Sequence, residues 1–156
     1  MGSSSLSKPR VFENKAVQLK SAPIRPEWII QGEPLARNHV LFVSEDRSSL
    51  TLFWECTAGV FRWIYDEEET IYVIDGGMTL TYPNGEIKTV GKGDVVYFAA
   101  GDTAIWTVES HVQKIAVFRR PMPKTFGQLL AVYHKAMARF APAAQPARGA
   151  DIPEAA

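Results

Sequence analysis

The stretch GVFRWIYDEEETIYVIDG, residues 59–76, decides how this chain is read. Side chains alternate along a strand, so Phe61, Trp63 and Tyr65 share one face and Glu69, Ile71, Val73 and Asp75 share another. The acidic residues 66–68 between them read as the turn of a hairpin joining 60–65 to 70–75. A second block, GDVVYFAAGDTAIW at 93–106, again sets strand-like runs between glycine turns, with Ala104, Trp106 and Val108 on one face.

Working outward, residues 39–44 and 50–57 read as strands joined by a turn at 45–49, with a further turn at Ala58-Gly59. Gly76-Gly77 permits a sharp bend before a strand at 78–82. Asn84-Gly85 predicts a two-residue type I′ hairpin, whose central positions both need positive φ. Further strands follow at 95–99, 103–109 and 112–119, so residues 37–120 read as an all-β sandwich or barrel rather than βαβ units.

Upstream, residues 1–10 read as a flexible start and 11–36, with prolines at 23, 26 and 34, as an extended arm anchored by Trp28, Ile29 and Ile30. Such an arm can cover a sheet edge of its own subunit or of a second copy, so a homodimer is expected. Downstream, Phe126, Leu129, Leu130, Tyr133, Met137 and Phe140 recur at helical spacing. They predict an amphipathic helix over 124–141, docked on the barrel or a neighbouring subunit, with Thr125 and Gln128 as a capping box and His134 at its solvent border. The alanine- and proline-rich residues 142–156 carry no periodicity and read as disordered.

At 156 residues the chain allows one domain with a core that needs no disulfide. Lys plus Arg equals Asp plus Glu at 17 each, which removes the footprint of a nucleic-acid binder. No signal peptide or membrane-spanning run is visible, so a soluble cytoplasmic protein is expected. Cys56 lies in an apolar run and reads as a buried, unreactive thiol.

Together the blocks at 59–76 and 93–106 resemble the paired motifs of the cupins, which implies a jelly-roll barrel. In the second motif Gly93 and Gly101 fall on the glycines, Ala99 on the proline and Ala104 on the metal-binding histidine. In the first, counting back from Gly76 puts Trp63, Tyr65 and Glu69 on the histidine, histidine and glutamate positions; counting forward from Gly59 puts Tyr65 and Glu67 on the histidines. The run Trp54-Glu-Cys-Thr, the 63–70 core, Trp106 and Lys114 are similar to the ureidoglycine aminohydrolase-type family of small cupins, which includes ethanolamine-utilisation cupins. That resemblance implies a hydrolase of a small ureido or amide metabolite using manganese.

Most ligand positions here carry rings or alanine, so no resident metal is expected; the alternative is manganese or magnesium held by Glu69, Tyr65 and Glu55 or Glu67. The expected site is an aromatic-lined barrel pocket for a small polar metabolite, with Phe61, Trp63, Tyr65, Phe98, Ala104, Trp106 and Lys114 binding. Glu69 is the candidate catalytic residue, as a general acid or base. Lys114, on a face with Ala116 and Phe118, could instead pair with Glu69 or Glu55 if that face is interior. A binding or sensing module, an enzyme of aminohydrolase or metal-free acid-base type, and an interaction scaffold all follow from these residues.

Overall fold

The structure, a computed structural model, describes residues 18–120 and 124–138, which fall in two units described separately below. The first holds eight strands: β1 (Lys20–Ser21), β2 (Ile29–Gln31), β3 (Ala36–Val43), β4 (Ser49–Ile64), β5 (Glu68–Thr81), β6 (Ile87–Gly91), β7 (Val95–Phe98) and β8 (Thr103–Arg119). A 3-10 turn at Pro26–Trp28 precedes β2.

Three long strands organise the sheet. β8 runs between β4 and β5, antiparallel to both. On its other edge β4 pairs first with β3 and then with β2, while β5 pairs first with β7 and then with β6. All three long strands bend at one level, where the register is irregular between Thr57 and Gly59 and again between Val73 and Thr79. The bends divide the sheet into two layers, β3-β4-β8-β5-β7 and β2-β4-β8-β5-β6, which is the jelly-roll arrangement of a cupin. Gly76 lies at that level with φ 69, and a Cβ there would stand 2.1 Å from the His111 carbonyl oxygen, so a close backbone approach demands glycine.

The interior lies between the layers. Leu52, Trp54, Cys56, Ile71, Val73, Phe98, Val112 and Ala116 are buried from the first, and Phe61, Met78, Leu80, Val90, Ala104, Trp106 and Val108 from the second. Glu69 and Lys114 are the buried charged residues among those described.

Several local expectations give way to long-range pairing. Residues 60–65 and 70–75 form no hairpin, because β8 inserts between them and residues 65–67 instead turn the chain from one layer to the other. β4 continues through Ala58-Gly59, β5 through Gly76-Gly77 and β8 through 110–111, since a bulge bends a ladder without ending it. The β5–β6 turn is not type I′: Pro83 cannot take positive φ, and of the turn residues only Gly85 does (φ 85). Gly85 N–H donates to the Tyr82 carbonyl at 2.9 Å and Glu86 N–H to Asn84 Oδ1 at 3.0 Å, a three-residue loop closed by a left-handed glycine.

The described part of the arm covers its own subunit, β1 pairing with β3 and β2 with β4. Trp28 and Ile29 pack against the core, whereas Ile30 is exposed. The second unit contains α1 (Lys124–Ala138), on which Leu129, Tyr133 and Met137 are exposed. Thr125 already lies within α1 and is not at the cap position the expected box requires. Residues 1–17 and 139–156, with the expected flexible start, the first part of the arm and the disordered tail, lie outside the described residues, as does the His134 side chain. No helix among the described residues is long and apolar enough to cross a membrane.

Candidate functional site at the barrel mouth

Alternation along three strands brings most sequence-selected residues together. Phe61, Tyr65, Glu69, Phe98, Ala104, Trp106 and Lys114 are buried, and Trp63 is partly buried against the same core. Counting back from Gly76 gives the register that is inward-facing. Glu67 instead meets Arg120 Nε at 2.9 Å with its side chain about a third exposed. Gly59 is an unsafe ruler because the β4–β8 register is irregular beside it.

The centre of the barrel holds an ion pair. Lys114 Nζ donates to Glu69 Oε1 at 2.6 Å, with 4% and 0% of the two side chains exposed. Lys114 lies opposite Trp54 on β4 and Val73 on β5, so its chain projects inward from the central strand. The ammonium stands 4.9 Å from the Trp54 ring centroid, 4.7 Å from Trp106 and 5.9 Å from Trp63. Ring faces attract a desolvated cation by about 2 kcal/mol each in favourable cases, so the tryptophans offset part of the hydration Lys114 loses.

Polar atoms nearby are nearly all matched. Trp106 Nε1 donates to the Tyr65 hydroxyl at 3.0 Å, and Tyr65 stacks on Phe98 at 4.0 Å. Burial first, and the Glu69 charge second, push the Tyr65 phenol far above its ordinary range, so it remains a neutral hydroxyl. Burial pushes the Cys56 thiol up to about 12 against the opposing pull of Lys114, which leaves it inert. Glu69 Oε2 is the exception, a buried carboxylate oxygen with no hydrogen-bond partner among the described residues.

Glu69 also belongs to the lining of a cavity of about 380 Å³ at the mouth of the barrel. Its other walls are Pro23, Ile24, Arg25 and Trp28 from the arm, 63–67 from the end of β4 and the following turn, and Phe118. Trp28 meets Trp63 edge-on at 5.4 Å, and the Arg25 guanidinium lies 4.7 Å from the Trp28 ring centroid. Of the sequence-selected residues, Trp63, Tyr65 and Glu69 reach this cavity; Phe61, Phe98 and Trp106 fill the interior beneath it. Arg25 escaped sequence reasoning, although the proline-flanked Arg25-Pro-Glu-Trp28 segment, with a tryptophan already taken as an anchor, was its available signal.

The donor set does not suit a transition metal. The ligand positions carry Trp63, Tyr65 and Ala104, and Glu69 is already bonded to an ammonium that would repel a second cation. Glu55 faces outward, pairing with Arg37 and accepting from Gln113 Nε2 at 3.2 Å, so it joins neither Lys114 nor an oxygen-rich site with Glu69. Among the described residues no group of three or more His, Cys, Asp or Glu side chains converges on one point. His111 lies at the bend and contacts Asp75 Oδ2 at 2.8 Å, holding that carboxyl below the usual carboxylate range.

Comparison with known proteins agrees with this architecture. Residues 43–116 match the family model of the EutQ-like cupin domain. The chain is similar to a crystal structure of a protein with unknown function from Pseudomonas syringae pv. tomato, at 26% identity and TM-score 0.61 over 65% of this chain. It spans 44% of that protein's length. It also resembles a predicted oxalate decarboxylase from Thermotoga maritima (14% identity, TM-score 0.57, 72% of this chain and 100% of that one). The polyketide cyclase RemF from Streptomyces resistomycificus is similar at 19% identity and TM-score 0.52, covering 75% of this chain and 82% of that one. No curated protein matches. The chain therefore has the cupin jelly-roll fold, and its residues 43–116 resemble the EutQ-like cupin domain, on a fold whose other bearers do unlike chemistry.

Proposed function

We propose that this is a cupin that binds a small polar metabolite at the mouth of its barrel without a resident metal. The observation that carries the reading is the Lys114–Glu69 pair. It places a fixed ammonium at the centre of the barrel and leaves Glu69 Oε2 unpartnered beside a cavity of about 380 Å³. A buried acceptor without a partner costs about 1–3 kcal/mol, so a ligand that donates an N–H or O–H there recovers that energy. Arg25, with no carboxylate partner among the described residues, suits an anionic group at the ligand's other end, and Trp28 and Trp63 give it apolar walls.

The test is a thermal-shift and calorimetric screen of ureidoacetate, β-alanine and acetate, with and without manganese. Compounds carrying both an N–H donor and a carboxylate are expected to raise the melting temperature; acetate is not. The gain should disappear in Arg25→Gln. Stoichiometric manganese that raises the melting temperature by itself would refute the metal-free reading. A second reading, general acid-base catalysis by Glu69, is favoured by the same unpartnered oxygen. It requires that Glu69→Gln abolish turnover of a compound that the variant still binds. Manganese chemistry of the ureidoglycine aminohydrolase type asks for nitrogen ligands at positions 63, 65 and 104, which this chain does not carry.

A further inference from the structure

Building on the binding reading above, we propose that Tyr65 and Glu69 together select a neutral hydroxyl at the floor of the mouth cavity, so that the metabolite is a small hydroxy acid. Two unfilled hydrogen-bonding capacities lie there side by side. One is an acceptor, the buried Glu69 Oε2, which has no partner among the described residues. The other is a donor, the Tyr65 hydroxyl: its oxygen accepts from Trp106 Nε1 at 3.0 Å, and its own proton meets no acceptor among the described residues.

Both residues line the cavity of about 380 Å³, and Phe98 links them. Phe98 is the partner of Glu69 across β5 and β7, and its ring stacks on that of Tyr65 at 4.0 Å. The phenol is close enough to feel the Glu69 charge, which helps to keep its proton in place. Its position is fixed from the backbone as well, since Tyr65 N–H donates to the Asp102 carbonyl at 3.0 Å and Gly101 N–H to the Tyr65 carbonyl at 2.7 Å. Donor and acceptor are therefore held in place before a ligand arrives.

A group that fills both capacities must accept from Tyr65 and donate to Glu69. An alcohol does so through one oxygen. A second carboxylate only accepts, and Glu69 repels it. An ammonium only donates, and Lys114 Nζ already stands 2.6 Å from the other oxygen of the same carboxylate, so two cations would crowd one buried anion. A primary amide can satisfy both partners but brings a further N–H that finds no acceptor at the floor. A methyl group leaves both capacities empty, and sites built to hydrogen-bond a hydroxyl reject analogues that lack it. Arg25, on the outer wall, is left to receive the carboxylate of the acid, with Trp28 and Trp63 along the carbon chain between.

Isothermal titration of the full chain at neutral pH with 3-hydroxypropionate, β-alanine, malonate, malonamate and propionate tests the assignment. These compounds share a carboxylate and a short chain and differ at the far end. 3-Hydroxypropionate is expected to bind at least tenfold more tightly than each of the others. Tyr65→Phe, checked for folding by circular dichroism, should bring it down to the level of propionate; the wild-type ranking is decisive even if that variant does not fold. β-Alanine, malonate or malonamate binding as tightly as 3-hydroxypropionate, or a folded Tyr65→Phe that keeps the preference, would overturn hydroxyl selection and leave the mouth as a binding site. Binding by none of the five would overturn both.

Discussion

Trp63 joins two regions of opposite character. On one side lies the barrel interior, where its ring packs edge-on to Trp54 and Phe61 and near Trp106, and where the only cation is the chain's own Lys114 among the described residues. On the other lies the mouth, where the same ring meets Trp28 and borders open space with Arg25, Asp66 and Glu67 around it. Interior charge is matched internally; at the mouth Glu67 meets Arg120, whereas Arg25 has no carboxylate partner among the described residues. The comparison teaches that changing the inward residues at the ligand positions of a cupin barrel need not empty the site. An internal ammonium holds the retained glutamate in place, and on the proposed reading the binding surface lies one layer further out.

The largest effect expected comes from breaking the interior pair from one side. Lys114→Met leaves Glu69 buried without a counter-charge and should cost about 3–5 kcal/mol of unfolding free energy. Lys114→Met combined with Glu69→Leu removes both charges and should recover most of that loss, because a buried pair is often no better than apolar side chains of similar volume. Urea titrations of the two single variants and the double give the coupling directly. A double variant no more stable than Lys114→Met would mean that the pair is not the isolated unit described here.

Next in size are the rings shared between the regions. Trp63→Ala should cost about 2–4 kcal/mol, less than a fully buried tryptophan, because its outer side is already open. It should also abolish ligand-dependent stabilisation. Trp28→Ala, confined to the mouth, should abolish the same ligand response for about 1–2 kcal/mol. Loss of ligand response in Trp63→Ala but not in Trp28→Ala would place the binding surface inside the barrel instead.

A smaller effect reads the interior through pH. The folded-state pKa of Cys56 stands at about 12 against an ordinary 9.0, and that of Tyr65 is raised above its ordinary 10.0. Both groups hold their protons more tightly when folded. The stability they contribute is therefore complete below pH 9 and is lost as pH rises, from 9 toward 12 for Cys56 and from 10 upward for Tyr65. Each contributes a slope of at most about 1.4 kcal/mol per pH unit. Urea midpoints should fall above pH 9, and Cys56→Ala should delay the onset to about pH 10.

Much of this contrast was legible in strand alternation. Trp63, Tyr65 and Glu69 face inward as their spacing from Gly76 requires, and Lys114 shares the inward face of Ala116 and Phe118. What alternation cannot supply is register between distant strands. Whether Lys114 meets Glu69 or Glu55 depends on pairing across β4, β8 and β5, whose irregular steps leave no mark in local pattern. The hairpin expected at residues 60–75 failed for the same reason, since neighbours in sequence were separated by a strand that comes far later. Arg25 was hidden because it is long-range pairing of the arm with β3 and β4, which local pattern does not mark, that brings it to the mouth.

The smallest effect lies outside both regions and calibrates them. Arg119 Nε donates to Glu68 Oε2 at 2.6 Å and its Nη2 to Oε1 at 2.9 Å, a two-pronged contact with geometry as favourable as that of Lys114 with Glu69. Yet the Arg119 side chain is 61% exposed, so water screens the attraction and already solvates both charges. Glu68 raises the Arg119 pKa through that contact, but an exposed group converts little of such a shift into stability. Arg119→Gln should therefore cost less than about 1 kcal/mol, and most of that should vanish in molar salt. Lys114→Met should lose several times more, and salt should not restore it. A loss from Arg119→Gln equal to that from Lys114→Met would mean that hydrogen-bond geometry, rather than burial, sets the worth of these pairs.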